Sequence, residues 1–544
     1  MATTLKPTAP ASVYDVIVVG SGGAGLVAAC AAADRGASVA VLERTPLIGG
    51  TTAISGGHLW IPCHPHLGAL GLTDTRKEAL HYLDRITLGS IADPVIEAFV
   101  DNGPHLVTYL ERDLGVPLFA VRRPDYHPDF PGAAEARTLE PLPLDASALG
   151  PGLPGVRTSP TRPPLTSVEA RTGVPAGLVE ERRSKGILTQ GAALVAGLVL
   201  AAARRGVDLC TGQRVGELIE EDGAVRGVVV HSSEGGRTAL RARRAVVLAS
   251  GGFEWNPALR SDFLPRVPAL PVSPPGNEGD GLRLAMRAGA RIAGMSEAWW
   301  TAAIAVPGQT YDDRPMTRNA VRELAFPGSI LVNAAGYRFV DEASSYNDLG
   351  KAFLAFDQQR HTFPNARAWL ITDSAFRQQY PIAGLAPGTP APSWILTHSD
   401  LDGLAALAGI DPLNLTATVS TFNTHARNGV DPQFERGHNP HDRYNGDGGH
   451  QPNPCLGPIT TPPFHAVPVT LGINGTKGGV VTDHLGRVLG LSGSPLSGLL
   501  ACGNIAQSLM GPGYAGSGAS LGPALTAAMT VGGEAARKPP APRT

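Results

Sequence analysis

The stretch that decides the fold is YDVIVVGSGGAGLVAACAAADRGASVAVLE, residues 14–43. It opens with an apolar, β-branched run, continues through the small residues Gly20 to Gly25, and then becomes rich in alanine as far as about Arg35. A second apolar run, Ala37 to Leu42, ends at Glu43. A strand, a glycine turn, a helix and a second strand within about 30 residues predict a βαβ unit.

Each glycine of this turn has a mechanical reason. Gly20 allows the tight turn out of the strand, Gly22 lets backbone N–H groups approach a pyrophosphate, and Gly25 lets the helix pack closely on the strand. The positive end of the helix favours phosphate binding, and Glu43 is placed to accept ribose hydroxyls. The segment therefore predicts a dinucleotide site, although this motif alone does not separate FAD from NAD.

Two distant segments favour FAD. Residues 49–57, GGTTAISGG, follow the second strand directly and can thread small residues along the pyrophosphate and the flavin ring. Residues 501–504, ACGN, form a strand that runs into a Gly-Asn turn, and a helix starting at Leu521 can point its positive end at the flavin. We expect FAD to contact Gly20, Ser21, Gly22, Gly23, Ala24, Gly25, Glu43, Arg44, Gly50, Thr51, Thr52, Ser55, Gly56, Gly57, Val215, Ser250, Gly251, Gly503, Asn504, Ser520 and Leu521.

Length and composition narrow the class of protein. The chain has 544 residues, 43% of them hydrophobic and 17% charged, which predicts a folded protein of two or three domains. A formal net charge of −2 gives no reason to expect nucleic acid as a partner. The five cysteines show no CxxC spacing, which argues against a disulfide framework or a metal site and favours a reducing, cytoplasmic compartment.

No segment is long and apolar enough to span a membrane. The longest apolar run, residues 191–203, falls short of the roughly 20 residues that a span requires, so we expect a buried helix there. Residues 1–13 lack the pattern of a signal peptide and residues 538–544 are expected to form a tail. Peripheral contact of an apolar patch with a membrane stays open.

The order of elements predicts an α/β fold in which a Rossmann-like FAD-binding domain (GR2-type) is split by an inserted α+β cap domain. Residues 1–295 would form the first part of the FAD-binding domain, residues 296–460 the catalytic cap, and residues 461–544 the second part. Residues 117–180 are crowded with proline and glycine, which predicts long irregular excursions.

The chain resembles a known family over nearly its whole length. The segments that carry the resemblance are GSGGAGLVAA, ERT, GGTTAISGGHLWIP, LASGGF, NEGDGLRLA, RFVDEASSY, NGTKGGVVTD, ACGN and YAGSGASLGPA. Together they are similar to the FAD-dependent 3-ketosteroid Δ1-dehydrogenases of the fumarate reductase and succinate dehydrogenase flavoprotein superfamily. The more discriminating segments are SGGHLWIP, Pro124 to Tyr126 with Gly132 and Arg137, Tyr346, and the loop from Tyr514 to Gly518.

The resemblance implies oxidation of a 3-ketosteroid across C1 and C2. Tyr514 and the backbone N–H of Gly518 would hold the 3-keto oxygen, Tyr346 would take a proton from C2 with Tyr126 as its relay partner, and flavin N5 would accept hydride from C1. Donors placed at the ketone oxygen stabilise the charge that develops during proton abstraction. A tyrosine base, with an ordinary pKa of about 10, needs either a stabilised phenolate or onward transfer of the proton.

The sequence also departs from the superfamily pattern at positions that affect substrate and flavin binding. The arginine and histidines that bind dicarboxylates in fumarate and succinate enzymes are replaced here by Ala325 to Pro327, with Arg322 nearby, and by Asn474 and Gly475. Gly50 stands where succinate dehydrogenases carry a flavin-linked histidine, so the FAD is expected to be non-covalent. Asp341 stands where the steroid enzymes are expected to have asparagine.

Several of these residues also have a purely structural interpretation. Tyr126 and Tyr346 could be structural, His127 is expected to be a surface residue, and the histidines at 58, 64 and 66 are expected to be wall or loop residues because nothing completes a metal site. Trp60, Trp299 and Trp300 could line a steroid channel or fill a core.

Three alternatives to the steroid enzyme stay open: oxidation at C4 and C5 or of a non-steroid cyclic ketone, a flavin-binding module without activity, and a fumarate-reductase-like enzyme. The physiological electron acceptor is open as well. A quinone is a reasonable acceptor, although no residue indicates it.

Overall fold

We describe the protein from a computed structural model, which describes residues 11–150, 152–233 and 235–538. The tails expected at both ends lie largely outside these residues. The strands are β1 (Val13–Val19), β2 (Val39–Leu42), β3 (Leu59–Trp60), β4 (Leu118–Val121), β5 (Thr138–Pro141), β6 (Leu144–Asp145), β7 (Ile187–Leu188), β8 (Asp208–Cys210), β9 (Gln213–Glu221), β10 (Ala224–Ser232), β11 (Arg237–Leu248), β12 (Ala269–Pro271), β13 (Ile292–Ala293), β14 (Ala298–Tyr311), β15 (Arg314–Asn319), β16 (Ser329–Asn333), β17 (Ala368–Asp373), β18 (Leu396–His398), β19 (Phe464–Thr476), β20 (Gly479–Val480), β21 (Arg487–Leu489) and β22 (Pro495–Ala501).

Sixteen α-helices accompany these strands in the described part of the chain. They are α1 (Gly23–Ala33), α2 (Gly50–Ile54), α3 (Arg76–Thr87), α4 (Asp93–Thr108), α5 (Ser167–Thr172), α6 (Leu178–Ser184), α7 (Gln190–Arg204), α8 (Pro257–Phe263), α9 (Asp280–Arg287), α10 (Arg322–Ala325), α11 (Tyr346–Ala352), α12 (Ser374–Gln379), α13 (Leu401–Ala408), α14 (Pro412–Ala426), α15 (Pro440–Asn445) and α16 (Leu521–Ala535). No helix among the described residues is both long and apolar enough to cross a membrane.

A parallel sheet forms the core that the opening stretch predicts. Strand β1 pairs in parallel with β2 and β11, β2 pairs with β8, and β11 pairs with β22. In the centre, Val18 pairs with Val41 on one side and Val247 on the other. The near-continuous apolar sequence of β1 follows from its burial between two layers, as is usual for parallel sheets. The predicted βαβ unit is therefore confirmed.

Small residues bring the helices of this layer close together. Helix α1 packs against α16 and α7. At the α1–α16 contact, a Cβ added to Gly532 would lie 2.2 Å from the backbone oxygen of Ala28. The alanines of α1 thus provide a flat, buried surface, and glycine at the crossing point lets the two backbones approach.

A second sheet of seven strands covers the other side of the ligand cavity. Its strand order is β15-β14-β19-β17-β16, with β12 and β18 also paired to β19, and most pairs are antiparallel. Strand β19 lies after residue 460 and β12 lies before residue 296, so the sheet draws on residues beyond the segment expected to form the cap. The proposed domain boundaries stay a prediction.

The proline-rich stretch contains more regular structure than expected. Strands β4 and β5 pair with each other, and β5 also pairs with β3. This small sheet sits against the loop of Tyr514, since the backbone N–H of Trp60 in β3 donates to the oxygen of Gly518 at 3.1 Å. The strands of this proline-rich stretch therefore help to form the wall beside the Tyr514 loop. The composition of the stretch alone did not indicate this role.

Candidate active site

One large cavity occupies the region between the glycine turn and the second sheet. Its volume is about 1330 Å³, and its lining includes the glycine turn, Trp299 of β14 and all three predicted tyrosines. Pockets for a single small ligand usually span roughly 300–1,000 Å³. The cavity is therefore large enough for a dinucleotide together with a substrate.

The glycine turn is built as its sequence predicts. Gly20 has a φ of +108°, and a Cβ there would lie 2.4 Å from the oxygen of Ala249. A Cβ on Gly25 would lie 2.1 Å from the oxygen of Gly20, whereas a Cβ on Gly22 would meet nothing closer than 3.8 Å. Gly20 and Gly25 are therefore required by close packing, and Gly22 leaves the space open in which a phosphate can approach the backbone.

Helix α1 begins at the edge of this space. Its N-cap is Gly22, no side chain caps the helix, and the N–H of Gly23 donates to Thr52 Oγ1 at 3.1 Å. The next N–H groups of the first turn are left for an anion, and the helix dipole favours one there. These features fit the pyrophosphate of FAD.

Almost every residue predicted to contact FAD lines the cavity. Gly25 is the exception, because it supports the turn from behind. The residues that line the cavity are Gly20, Ser21, Gly22, Gly23, Ala24, Glu43, Arg44, Gly50, Thr51, Thr52, Ser55, Gly56, Gly57, Val215, Ser250, Gly251, Gly503, Asn504, Ser520 and Leu521. Ser250 Oγ is also buried without a hydrogen-bond partner among the described residues, which fits a polar ligand beside it.

Two of these residues have partners that the sequence did not suggest. The Glu43 carboxylate accepts bonds from Ser21 Oγ at 2.6 Å and from the Thr45 N–H and hydroxyl, both at 2.9 Å. Arg44 Nη1 lies 3.0 Å from Glu278 and 3.2 Å from Asp280. Glu43 thus ties the turn to the second strand, and Arg44 belongs to an ion-pair cluster in the cavity wall.

The three predicted tyrosines meet in one cluster. The ring centroids of Tyr126 and Tyr514 are 5.2 Å apart, those of Tyr346 and Tyr514 are 5.3 Å apart, and those of Tyr126 and Tyr346 are 5.8 Å apart. All three pairs are edge-to-face, which is a favourable arrangement of aromatic rings. Residues from three distant segments thus present their phenols to one cavity.

Gly518, which lines the same cavity, offers its backbone N–H as a further donor. Its φ is +96°, and a Cβ would lie 2.5 Å from the backbone carbon and oxygen of His58. Within the described residues no acceptor for the Gly518 N–H is found, although the Gly518 oxygen accepts from the N–H groups of Trp60 and Gly522. The N–H is therefore available for an oxygen of a ligand.

The loop that carries Tyr514 is held on several sides. The Tyr82 hydroxyl donates to the oxygen of Ala515 at 2.7 Å, and Lys477 Nζ donates to the oxygen of Gly513 at 2.7 Å. A Cβ on Gly516 would lie 2.5 Å from the ring of Trp60. The small residues of the loop are thus needed for packing, and this fixes the position of Tyr514.

Burial dominates the electrostatics of the phenols. Burial, followed by the neighbouring phenols, raises the pKa of Tyr346 well above its ordinary value. Burial, and then the phenol of Tyr126, raises the pKa of Tyr514 to about 12. The positive charge of Arg123 acts in the opposite direction on the pKa of both groups. A neutral Tyr514 is suited to donate a hydrogen bond, whereas a neutral Tyr346 must pass its own proton on in order to accept one.

Tyr126 is positioned by a buried ion-pair network. Asp125 Oδ2 lies 2.8 Å from Arg137 Nη1, and Arg137 also pairs with Asp74 at 2.6 Å. Asp125 Oδ1 accepts the Trp60 indole N–H at 2.6 Å. Burial raises the pKa of Asp125 to about 6, against the opposing effect of Arg137. The network joins the discriminating segments around Trp60, Tyr126 and Arg137, which explains why they occur together.

The histidines at 58, 64, 66 and 127 all have polar partners, and His127, expected at the surface, is only 22% exposed. His127 Nε2 lies 3.0 Å from Asp348, and His64 Nε2 contacts the oxygen of Ala136 at 2.7 Å. His58 bridges Ser517 Oγ at 2.7 Å and Glu140 at 3.3 Å, and His66 lies 3.0 Å from Glu111. The described residues contain no group of three or more potential metal ligands.

Sequence reasoning missed a second layer around Tyr126. The ring of His441 lies 4.6 Å from that of Tyr126, and burial lowers the pKa of His441 well below its ordinary value. Arg123 lies 5.3 Å over the Tyr126 ring and donates to Asn445 at 3.2 Å. His441 and Asn445 come from α15, more than 300 residues along the chain, and no pattern in the sequence connects them with Tyr126.

The unusual Asp341 belongs to a buried acid pair. Burial and the neighbouring carboxyl of Asp442 raise the pKa of Asp341 well above its ordinary value. Burial likewise raises the pKa of Asp442. A shared proton would replace one of the hydrogen bonds that an asparagine amide would provide at this position.

A phosphate-binding turn, a dinucleotide-sized cavity and buried donors at its inner end define an FAD-dependent oxidoreductase. The model of the FAD binding domain family matches residues 15–521. A 4-oxocyclohexanecarboxylate 2-dehydrogenase from Sinomonas cyclohexanicum is 40% identical over 97% of this chain and 94% of its own length. A 3-oxosteroid 1-dehydrogenase from Mycobacterium tuberculosis is 36% identical over 94% of this chain and 96% of its own length.

A solved structure agrees with these relatives. The 3-ketosteroid Δ1-dehydrogenase of Sterolibacterium denitrificans, in complex with 1,4-androstadiene-3,17-dione, superposes with a TM-score of 0.91 at 36% identity, covering 97% of this chain and all of that chain. The chain belongs to the FAD-binding flavoproteins and, within them, to the family of the 3-ketosteroid Δ1-dehydrogenases. The expected fold class and the expected cofactor, FAD, are confirmed.

Proposed function

We propose that this enzyme introduces a double bond next to the ring carbonyl of a cyclic ketone, with 1,2-dehydrogenation of 3-ketosteroids as the reaction. The observation that carries the proposal is the cluster of three phenols in the cavity that Gly518 also lines, where the Gly518 N–H has no acceptor among the described residues. The family membership and the steroid-bound relative support it.

The ketone oxygen is held by two donors in this proposal. The Tyr514 hydroxyl, kept neutral by its raised pKa of about 12, and the Gly518 N–H both donate to it. Negative charge grows on this oxygen when the neighbouring carbon loses its proton. Fixed donors in a site shielded from water stabilise that charge, and one such donor is typically worth about 100- to 1,000-fold in rate.

Tyr346 removes the proton from the carbon next to the carbonyl. Because its pKa is raised, Tyr346 passes its own hydroxyl proton to Tyr126 while it accepts the new one, and Tyr126 in turn releases its hydroxyl proton to solvent. The ring contact of 5.8 Å and the network of Asp125 and Arg137 keep Tyr126 in place for this transfer. When bound, FAD supplies the acceptor for the hydride that leaves the adjacent ring carbon.

FAD binding is proposed to be non-covalent and to use the turn from Gly20 to Ala24. Gly50, at the start of α2, carries no side chain that could form a bond to the flavin. The φ of +49° at Gly50 also suits glycine rather than a bulky residue.

One experiment tests this function. The purified flavoprotein, mixed without oxygen with 4-androstene-3,17-dione, should lose its flavin absorbance and yield the product with a double bond between C1 and C2. A product with its new double bond at another position would assign a different regiochemistry. An unchanged spectrum with every cyclic ketone in a panel would contradict the proposal.

A non-steroid cyclic ketone is the second candidate substrate. The relative that is 40% identical is named for such a reaction on 4-oxocyclohexanecarboxylate. The same two donors and the same two tyrosines would serve both ketones. The panel should therefore include this compound.

A further inference from the structure

The cavity wall contains arginines of two kinds. Five of them pair with an Asp or Glu within 4.0 Å: Arg44, Arg157, Arg182, Arg183 and Arg214. Five others have no such partner among the residues that the structure describes: Arg123, Arg162, Arg171, Arg318 and Arg322. Unpaired positive charges in a cavity wall can face an anionic group of a ligand, the phosphates of the cofactor included.

Two of the unpaired arginines lie over one aromatic ring, and a third contacts the backbone beside one of them. The guanidinium carbon of Arg171 lies 3.8 Å from the ring centroid of Tyr444, and that of Arg123 lies 4.9 Å from it. Arg322 Nη1 donates to the backbone oxygen of Ala170, the residue before Arg171, at 3.0 Å. We call Arg123, Arg171 and Arg322 the arginine cluster.

Each member of the cluster keeps most of its donors free. Arg123 donates to the side chain of Asn445, Arg171 to the backbone oxygen of Tyr444, and Arg322 to the backbone oxygen of Ala170. These acceptors are neutral, and a guanidinium has five N–H donors. Arg123 Nε is in addition buried without a partner among the described residues. Arg171 and Arg322 are exposed, so their remaining donors are open to an anionic ligand.

The cluster lies at the ketone end of the cavity. Arg123 is 5.3 Å from the Tyr126 ring, which itself contacts Tyr514 and Tyr346. The phosphates of FAD are expected at the other end, beside Gly22 and the start of α1. The anion therefore belongs to the substrate rather than to the cofactor.

We propose that the arginine cluster binds a carboxylate carried by the cyclic ketone substrate. The inference rests on the proposed function, because the tyrosine cluster places the ketone and the arginine cluster then places the acid group. Guanidinium groups match a carboxylate with paired hydrogen bonds. Two sources share this chemistry: a compact oxocyclohexanecarboxylate, and a 3-ketosteroid with an acidic side chain.

Matched substrate pairs test the inference on the holoenzyme. Anaerobic flavin reduction is measured with 4-oxocyclohexanecarboxylate against its methyl ester, and with a 3-oxo-4-ene steroid bearing a side-chain carboxylate against its methyl ester. In at least one pair the acid should have a kcat/KM about 10- to 100-fold above that of the ester. The pair with the larger ratio identifies the source of the carboxylate.

The two proposals fail in distinguishable ways. If esters and acids reduce the flavin equally well in both pairs, the carboxylate site is wrong and ketone dehydrogenation stands. If none of the four compounds, nor 4-androstene-3,17-dione, reduces the flavin, the proposed function fails as well. Reduction of fumarate by the dye-reduced enzyme, without oxidation of any ketone, would also contradict both.

Substitutions in the arginine cluster test whether these residues form the carboxylate site. Arg171→Gln and Arg322→Gln should each lower the acid-to-ester ratio of kcat/KM by about 10-fold, mainly through a higher KM for the acid. Arg171→Lys should retain part of the ratio, because the charge stays while the paired geometry is lost. Arg183→Gln, which removes an arginine that is paired with Glu180 in the same wall, should leave the ratio unchanged.

Ester turnover and bound FAD report whether each variant is folded. An unchanged ratio in folded Arg171→Gln and Arg322→Gln enzymes would overturn the assignment to this cluster. An equal loss in Arg183→Gln would overturn it too, since the effect would then be a general one of cavity charge. The ratio in the unmodified enzyme tests the carboxylate itself even where a variant does not fold.

Discussion

The two ends of the cavity are built in different ways. The phosphate end is local: residues 14–43 supply the strand, the turn, the helix and the acid in one run. The ketone end is assembled from Tyr126, Tyr346 and the loop from Tyr514 to Gly518, with Arg123 beside them. Changes at the first end should therefore affect fold and cofactor together, and changes at the second should affect chemistry while cofactor binding survives.

After loss of the Tyr346 hydroxyl, the largest effect is expected from Tyr514→Phe. The variant loses one of two donors to the ketone oxygen, so the rate of flavin reduction should fall roughly 100- to 1,000-fold. Stopped-flow reduction measures this, and the FAD content should equal that of the unmodified protein. Tyr337→Phe is the matched control, because Tyr337 is 50% exposed and should be indifferent. Loss of FAD in Tyr514→Phe would show that the two ends are not separable.

Gly518→Ala tests the second donor at the ketone end of the cavity. The new methyl group would lie 2.5 Å from the backbone of His58 at a φ of +96°, so the loop must shift and move the N–H away from the ketone. We expect flavin reduction to be slower by about 100-fold, with FAD retained. An unchanged rate would mean that the Gly518 N–H does not hold the substrate.

Gly20→Ala tests the other end. Its methyl group would lie 2.4 Å from the oxygen of Ala249 at a φ of +108°, and we expect about 3 kcal/mol lower unfolding free energy and weakened FAD binding. Gly36→Ala is the control, since its φ is +75° with nothing within 4 Å, and it should cost only about 1 kcal/mol. Urea unfolding and FAD titration of both variants measure the difference. Equal losses in the two would contradict the close-packing argument.

Lys477 gives the smallest and most specific effect. Burial lowers the pKa of Lys477 to about 7, although its Nζ donates to the loop oxygen of Gly513. The unfolded chain holds the proton up to a pH near 10.5, so the stability of the native enzyme should rise with pH between about 7 and 10. Lys477→Met removes this dependence.

The quantity to measure is the difference in pH dependence of the unfolding free energy between the unmodified enzyme and Lys477→Met. From pH 7 to pH 9 the unmodified enzyme should gain on the order of 2 kcal/mol of unfolding free energy relative to Lys477→Met. Urea unfolding at the two pH values provides the number. Parallel pH profiles would show that Lys477 is not forced toward its neutral form.

The difference between the two ends also explains what the sequence could predict. The turn at Gly20 and the close contact at Gly25 follow from local rules, so their geometry was predictable. The pairing of Asp125 with Arg137 and the position of His441 beside Tyr126 depend on contacts between distant segments. The tyrosines themselves came from a resemblance, because no spacing relates residues 126, 346 and 514.

Local sequence rules also do not reveal other hydrogen-bond partners of a predicted ligand-binding residue. Glu43 stands where a ribose acid is expected, yet its oxygens already bond Ser21 and Thr45. The arginine cluster has no signature at all in the sequence, because Arg123 follows β4, Arg171 lies in α5 and Arg322 begins α10, and these elements meet only in the folded chain.

The rate of anaerobic flavin reduction in Tyr346→Phe tests the central claim most directly. With a cyclic ketone that reduces the unmodified enzyme, the account predicts a fall of roughly 100- to 10,000-fold, with full FAD content and the tyrosine cluster otherwise intact. Reduction at the unmodified rate would contradict the assignment of Tyr346 as the group that removes the proton.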